Sequence, residues 1–187
     1  MDYTLDTAQL RTDLNRWYAV EGRPLPWRAP GTSAWAVLVS EIMAQQTPVA
    51  RVIPHWNEWL KRWPTPGALA EATTAEVLTA WANLGYPRRA LRLREAARAC
   101  MAHHGGAVPS TVADLEALPG IGSYTARAVA AFAYGQAVPV VDTNVRRVQH
   151  RVVQGRFLAG SARARDLLDV ADLLPWVDED PFLVRRR

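Results

Sequence analysis

The chain has 187 residues and a formal charge of +4, the size of one or two small domains. Hydrophobic residues make up 49%, enough for a real core, which excludes general disorder. The single cysteine, Cys100, excludes an internal disulfide framework, a multi-cysteine zinc site and an all-cysteine iron–sulfur cluster held by this chain alone.

No apolar run reaches the roughly 18 residues of a membrane span. The opening Met1-Asp2-Tyr3-Thr4 lacks the basic-then-apolar pattern of a secretory leader, so a cytoplasmic protein, nucleoid-associated in a bacterium, is expected. Of the 22 basic residues Lys61 is the only lysine. Arginine grips phosphate through a planar fork, which makes nucleic acid a candidate partner. An arginine-heavy genome composition explains the same excess, and charge alone does not choose.

Apolar residues recur three and four apart over 5–20, 35–43, 49–60, 75–84 and 91–101, and again over 113–118, 124–133, 145–153 and 162–174. The period is that of amphipathic helices, and no useful β-alternation appears. An all-α fold is expected. Thr47-Pro48 reads as an N-cap followed by a first-turn proline. Pro64-Thr65-Pro66-Gly67 and His104-Gly105-Gly106 read as breaks. Gly135-Gln136 closes a helix before an extended Val138-Pro139-Val140-Val141. Arg185-Arg186-Arg187 reads as a solvated tail.

The string Leu118-Pro119-Gly120-Ile121-Gly122-Ser123-Tyr124-Thr125-Ala126 joins two helices through a very short link. Glycine permits positive φ and close backbone approach. The amides of Gly120, Gly122 and Ser123 then point outward at a helix start, where a phosphate is favoured. Ile121 tucks inward, and Arg127 adds a backbone contact one turn on. An ordinary αα-hairpin with a glycine cap is the competing reading.

Two carboxylates stand apart from the surface charges. Glu41 lies in Trp35-Ala36-Val37-Leu38-Val39-Ser40-Glu41-Ile42-Met43-Ala44, an almost wholly apolar helix. It either faces a cleft, where desolvation makes it a proton donor near neutral pH, or lies on a narrow exposed stripe. Asp142 follows an apolar stretch and opens Thr143-Asn144-Val145-Arg146-Arg147. It reads as an N-cap, and the same place suits an ionised carboxylate facing a developing cation. A raised acid and an ionised stabiliser are the division of labour in glycosidic cleavage.

Gln45-Gln46-Thr47 ends the Glu41 helix, and glutamines there suit hydrogen bonds to base edges, or simply a polar cap. Gly85-Tyr86-Pro87-Arg88-Arg89 is a loop in which Tyr86 suits a wedge beside a base and Arg88 and Arg89 suit phosphate. A solvated turn is the alternative.

Together these strings resemble the helix–hairpin–helix base-excision glycosylases, and within them the A/G-specific adenine glycosylase (MutY) family. The resemblance is carried by Leu25-Pro26-Trp27-Arg28, Val39-Ser40-Glu41-Ile42-Met43-Ala44-Gln45-Gln46-Thr47, Leu84-Gly85-Tyr86, the Leu118 to Ala126 string, and Val141-Asp142-Thr143-Asn144-Val145-Arg146-Arg147. These stand in family order from about Leu14 to about Val153. The glutamate-to-glutamine string is the most specific.

The resemblance implies a six-helix module over 28–135 and a second helical module from 1–27 and 136–187. The cleft between them takes an adenine flipped from double-stranded DNA, where it is mispaired with 8-oxoguanine or guanine. It implies that Glu41 protonates the adenine ring and that Asp142 stabilises the oxocarbenium-like sugar, with Asn144 and Tyr124 orienting it. Gln46 enters the stack, Tyr86 wedges beside the opposing base, and Trp27 and Arg28 line the adenine pocket. The amides of Gly120 and Gly122 hold phosphate. Bifunctional relatives carry lysine at position 124, so Tyr124 implies a monofunctional, hydrolytic enzyme. Thymine-removing T/G-mismatch relatives also carry tyrosine there, and the Gln45-Gln46 pair argues against them.

The family continues past the position of Val184 with an acidic adenine contact, a four-cysteine iron–sulfur segment and an 8-oxoguanine-recognition domain. The expectation is therefore a short, truncated or frame-interrupted form, monomeric, with no cofactor. Its second module is expected to expose apolar surface over 145–153 and 167–174. A DNA-binding remnant without turnover is the alternative function.

Overall fold

The computed structural model describes residues 6–157 and 160–174. The expectations for Phe182-Leu183-Val184 and for the arginine tail lie outside the described residues. Every regular element within them is helical: α1 (Thr7–Glu21), a 3-10 turn (Pro26–Arg28), α2 (Ala34–Met43), α3 (Val49–Arg62), α4 (Pro66–Ala70), α5 (Thr74–Trp81), α6 (Arg88–His103), α7 (Val112–Glu116), α8 (Ser123–Tyr134), α9 (Thr143–Val152) and α10 (Arg165–Ala171). No described helix is long and apolar enough to cross a membrane.

Two local readings need correction. Thr47 does not cap α3. Pro48 takes that place without a side-chain bond, and the buried Thr47 hydroxyl lies instead 3.2 Å from both the Gln45 and Leu84 carbonyl oxygens. The proline-rich 64–67 segment is more than a break. Thr65 accepts the Ala68 amide at 3.2 Å and Pro66 occupies the first helical turn, so it starts the short α4.

The chain divides into two compact units, Leu25–Gln136 and the flanking segments up to Pro24 and from Ala137. The first boundary falls at Leu25 and not at Arg28. Leu25 is buried, and the Pro26–Arg28 turn packs on α2 with Trp27 edge-on to Trp56 at 5.7 Å.

Within Leu25–Gln136, α2 is the central helix and packs against α3, α6 and α8. Its sequence explains this. Residues 35–40 are all buried and apolar except Ser40, whose hydroxyl donates to the Val37 carbonyl at 2.7 Å. The indole of Trp35 donates to the Trp63 carbonyl at 3.0 Å, and that of Trp56 to the Ala36 carbonyl at 2.8 Å. Trp59 meets Trp63 and Trp81 edge-on at 4.6 and 5.5 Å, and each such pair adds about 0.5–1.5 kcal/mol beyond burial. α6 buries Ala90, Leu93, Ala96, Ala97 and Cys100, a spacing of three and four, against α4 and α5. From its flank Arg94 donates to the Ala72 carbonyl at 3.1 Å and Arg98 to the Ala70 carbonyl at 3.0 Å. Part of the arginine excess thus closes helix ends.

In the other unit, Asp6 caps α1 by accepting the Ala8 and Gln9 amides, both at 3.0 Å. α9 and α10 pack together around a buried ion pair, Arg146 Nε to Asp166 Oδ2 at 2.5 Å. The Arg163 amide and then the Arg146 guanidinium hold the Asp166 carboxyl below its ordinary range. Val145, Val148, Val152 and Leu168 are exposed, as expected for apolar residues on those helices.

Candidate DNA interface and catalytic groups

The hairpin consists of α7, the link through Gly122, and α8. Its two glycines do different work. Gly120 has φ +78°, and a Cβ there would lie 2.7 Å from the Arg92 Cβ. Gly122 has φ −94° and nothing within 4 Å of such a Cβ. Positive φ is therefore needed only at Gly120, while Gly122 is the α8 N-cap and leaves open space above the first-turn amides. That end has no side-chain cap, so its amide groups face outward without intrahelical partners. Ile121 is buried, as expected. Ser123 is exposed, and its hydroxyl accepts Arg127 Nε at 3.2 Å, which places a guanidinium beside the helix start.

The two expected base-contacting loops meet across α2 and α6. Gln46 is exposed with φ 54°, and Tyr86 is 64% exposed with φ 48°. The adjacent glutamines part: the Gln45 amide nitrogen lies 3.4 Å from the Thr125 hydroxyl inside the fold, and Gln46 is left outward. The arginines part as well. Arg88 is exposed. Arg89 is half-buried and spends its guanidinium on the protein, so it does not fit the phosphate role expected for it. Nη1 donates to the carbonyls of Ile42 (3.0 Å), Met43 (3.3 Å) and Gln45, and Nη2 to those of Leu84 (3.0 Å) and Gly85 (3.1 Å) and to the Thr47 hydroxyl (3.2 Å). Sequence reasoning missed this role, because no local pattern marks an arginine four of whose six acceptors lie more than forty residues away.

Glu41 sits in the last turn of α2, partly buried among apolar neighbours. Desolvation raises its pKa to about 7, against a smaller opposing pull from Arg28. Its carboxyl is therefore half protonated near neutrality, the condition for a proton donor there. Arg28 thus acts on Glu41 from the same 3-10 turn that carries Trp27.

Tyr124 stands in the first turn of α8, 41% exposed. Asp142 and Asn144 belong to the other unit. Asp142 caps α9: one oxygen accepts the Val145 amide at 2.7 Å, and the other accepts the Asn144 side-chain amide at 3.2 Å. The carboxylate is thus held by two donors at a helix start.

The donor chemistry does not fit an iron–sulfur cluster. Cys100 supplies one thiol of the four required, faces the α6 core, and burial pushes it up to about 11. No group of three or more metal-binding side chains occurs among the described residues.

Residues 39–156 match the family model described as HhH-GPD superfamily base excision DNA repair protein. The chain is 57% identical over 171 residues to the adenine DNA glycosylase of Mycobacterium tuberculosis, covering 91% of this chain and 56% of that protein. It is 58% identical over 163 residues to the adenine DNA glycosylase of Mycolicibacterium smegmatis, covering 87% and 55%. The chain therefore spans about half the length of these relatives. Among solved structures, a thermostable thymine-DNA glycosylase shares the fold with a TM-score of 0.82 at 23% identity, over 90% of this chain and 78% of that one. On the family match, which runs from within the Glu41 helix through the hairpin and past the Asp142 cap, the chain belongs to the HhH-GPD superfamily of base excision DNA repair proteins.

Proposed function

We propose that this chain is a monofunctional DNA glycosylase that hydrolyses the N-glycosidic bond of adenine paired with 8-oxoguanine or guanine in double-stranded DNA. The observation that carries this reading is Glu41, a carboxyl in an apolar helix with a pKa of about 7. Protonating the adenine ring turns the base into a neutral leaving group. The C1′–N9 bond then breaks with its electron pair going to the adenine, and positive charge develops on the sugar. The Asp142 carboxylate, fixed by the Val145 and Asn144 donors, is the group suited to face that charge. Water adds its oxygen to C1′ and releases a proton, leaving an abasic site and free adenine. Tyr124 has no amine, so no Schiff base forms from that position. The likeness to two adenine glycosylases supports adenine over thymine as the base.

The test is release of free adenine from a duplex with one adenine opposite 8-oxoguanine, under single-turnover conditions, with a thymine–guanine duplex in parallel. Adenine release that disappears in Glu41→Gln supports the reading. Thymine release alone reverses the specificity. Salt-sensitive duplex binding without release of either base, by a chain shown to be folded, leaves a DNA-binding protein without turnover.

A further inference from the structure

Among the described residues only Gln46, Ala82 and Tyr86 combine a side chain with positive φ. Two of these three are the residues read as entering the base stack. A left-handed residue with a Cβ is sterically strained, and it persists only where its surroundings hold it. What holds these two is the peptide plane ahead of each. The Gln45 carbonyl precedes Gln46 and the Gly85 carbonyl precedes Tyr86, and both accept from the Arg89 guanidinium. Rotating either plane toward an ordinary φ turns its carbonyl off the guanidinium.

The rest of the environment closes the same joint. Arg89 also takes the Ile42 and Met43 carbonyls from the last turn of α2, which ties the first loop to the Glu41 helix. The Trp81 indole donates to the Gly85 carbonyl at 2.8 Å, and the guanidinium lies 5.3 Å from the Trp81 ring and 5.5 Å from the Tyr86 ring. Thr47, buried between the loops, bridges the Gln45 and Leu84 carbonyls. Six acceptors, two in the last turn of α2 and four on the two loops, converge on one planar fork. A lysine ammonium, a compact point with three donors, cannot span them.

We infer that Arg89 is a positioning residue: it locks Gln46 and Tyr86 into one preformed two-pronged wedge that enters a DNA duplex at a weakened base pair. The inference rests on the DNA glycosylase reading above. Because both prongs are ordered before contact, binding does not have to freeze two loops. A mispaired base is also the least costly to unstack, so the wedge favours mispaired over fully paired duplex.

The experiment uses the full chain, native and Arg89→Lys. Each is made with Gln46 and Tyr86 intact and again with both changed to alanine. Fluorescein-labelled duplexes with adenine opposite 8-oxoguanine, or opposite thymine, are titrated by anisotropy. Arg89→Lys is expected to lose about tenfold in affinity for the mispaired duplex and to stay within about twofold on the paired one. In the double-alanine background the same substitution is expected to have no further effect, because the residue acts through those two side chains. Equal losses on both duplexes, or an undiminished loss in the double-alanine background, overturn the inference in favour of a general structural or phosphate role. Hydrogen exchange of the free proteins gives a readout without DNA. The amides of Gln46 and Tyr86 are expected to exchange faster in Arg89→Lys while those of α3 stay as in the native chain, and unchanged loop exchange overturns the brace. A native chain that does not distinguish the two duplexes, with loop exchange responding as expected, refutes the DNA reading, and the wedge falls with it while the brace stands.

Discussion

The Arg92 side chain lies across Gly120, so close that a Cβ on the glycine would stand 2.7 Å from the arginine Cβ and 2.8 Å from its Cδ. Hairpin and α6 are thus fitted together at the one of the two hairpin glycines, Gly120, whose φ, +78°, also refuses a side chain. Two separate costs fall on the same substitution.

Gly120→Ala is accordingly expected to lower stability by about 1–3 kcal/mol, through left-handed strain and displacement of Arg92. Gly122→Ala, in open space at an ordinary φ, is expected to stay within about 0.5 kcal/mol of the native chain. Urea denaturation of both variants checks this. Duplex binding by Gly122→Ala is expected to weaken all the same, because a methyl group then stands over the α8 amides.

Glu41 sets activity and stability against each other. Its folded pKa of about 7 lies above the ordinary 4.5, so the native state holds a proton that the unfolded state has lost in that interval. Stability is therefore fully present below about 4.5 and is lost as pH rises to about 7. Glu41→Gln removes this loss. At pH 8 the variant is expected to be about 1–3 kcal/mol more stable than the native chain, with the difference shrinking toward pH 4.5, and to release no adenine. Thermal melts across pH check the first part. Native single-turnover rates falling as pH rises above 7 check the role as an acid.

The family resemblance implies lysine at position 124 in bifunctional relatives, where this chain has Tyr124. Tyr124→Lys is expected to place an amine at the sugar carbon. Attack at C1′ with departure of adenine gives a ring-closed N-glycoside. The C1′–O4′ bond then breaks, its electron pair going to O4′, which takes up the proton shed by the amine, and the resulting iminium is reduced by borohydride to a stable protein–DNA adduct. A gel shift that survives denaturant reports it. The native chain is expected to give none.

Arg146 and Asp166 test the packing of α9, the helix that Asp142 caps. Asp166→Asn removes the counter-charge of a buried guanidinium and is expected to cost about 3 kcal/mol, read by chemical denaturation. The native pair contributes above the unfolded Asp value of 3.8, and the contribution drains away as pH falls below it. The variant is expected to lose that acid-side slope.

The amino-acid sequence by itself determined the all-helical character, the place of most helices, the inward Ile121, the Asp142 cap and the unusual setting of Glu41. All of these are local. A period of three and four, a glycine beside a turn, or a carboxylate in an apolar run is complete within a few residues. Tertiary structure alone decided how the neighbours divide: Gln45 inward and Gln46 outward, Arg88 exposed and Arg89 consumed. It also decided that Gly120 and Gly122 have different reasons to be glycine, and that Thr47 bridges two loops where a cap was expected. These outcomes depend on carbonyls and side chains brought from distant segments: Leu84 to Thr47, Ile42 to Arg89, Arg92 to Gly120. Even the arginine excess changes meaning through them. A guanidinium on the surface is a phosphate ligand, and the same group beside an open helix end is a cap, and only the neighbours in space choose between the two.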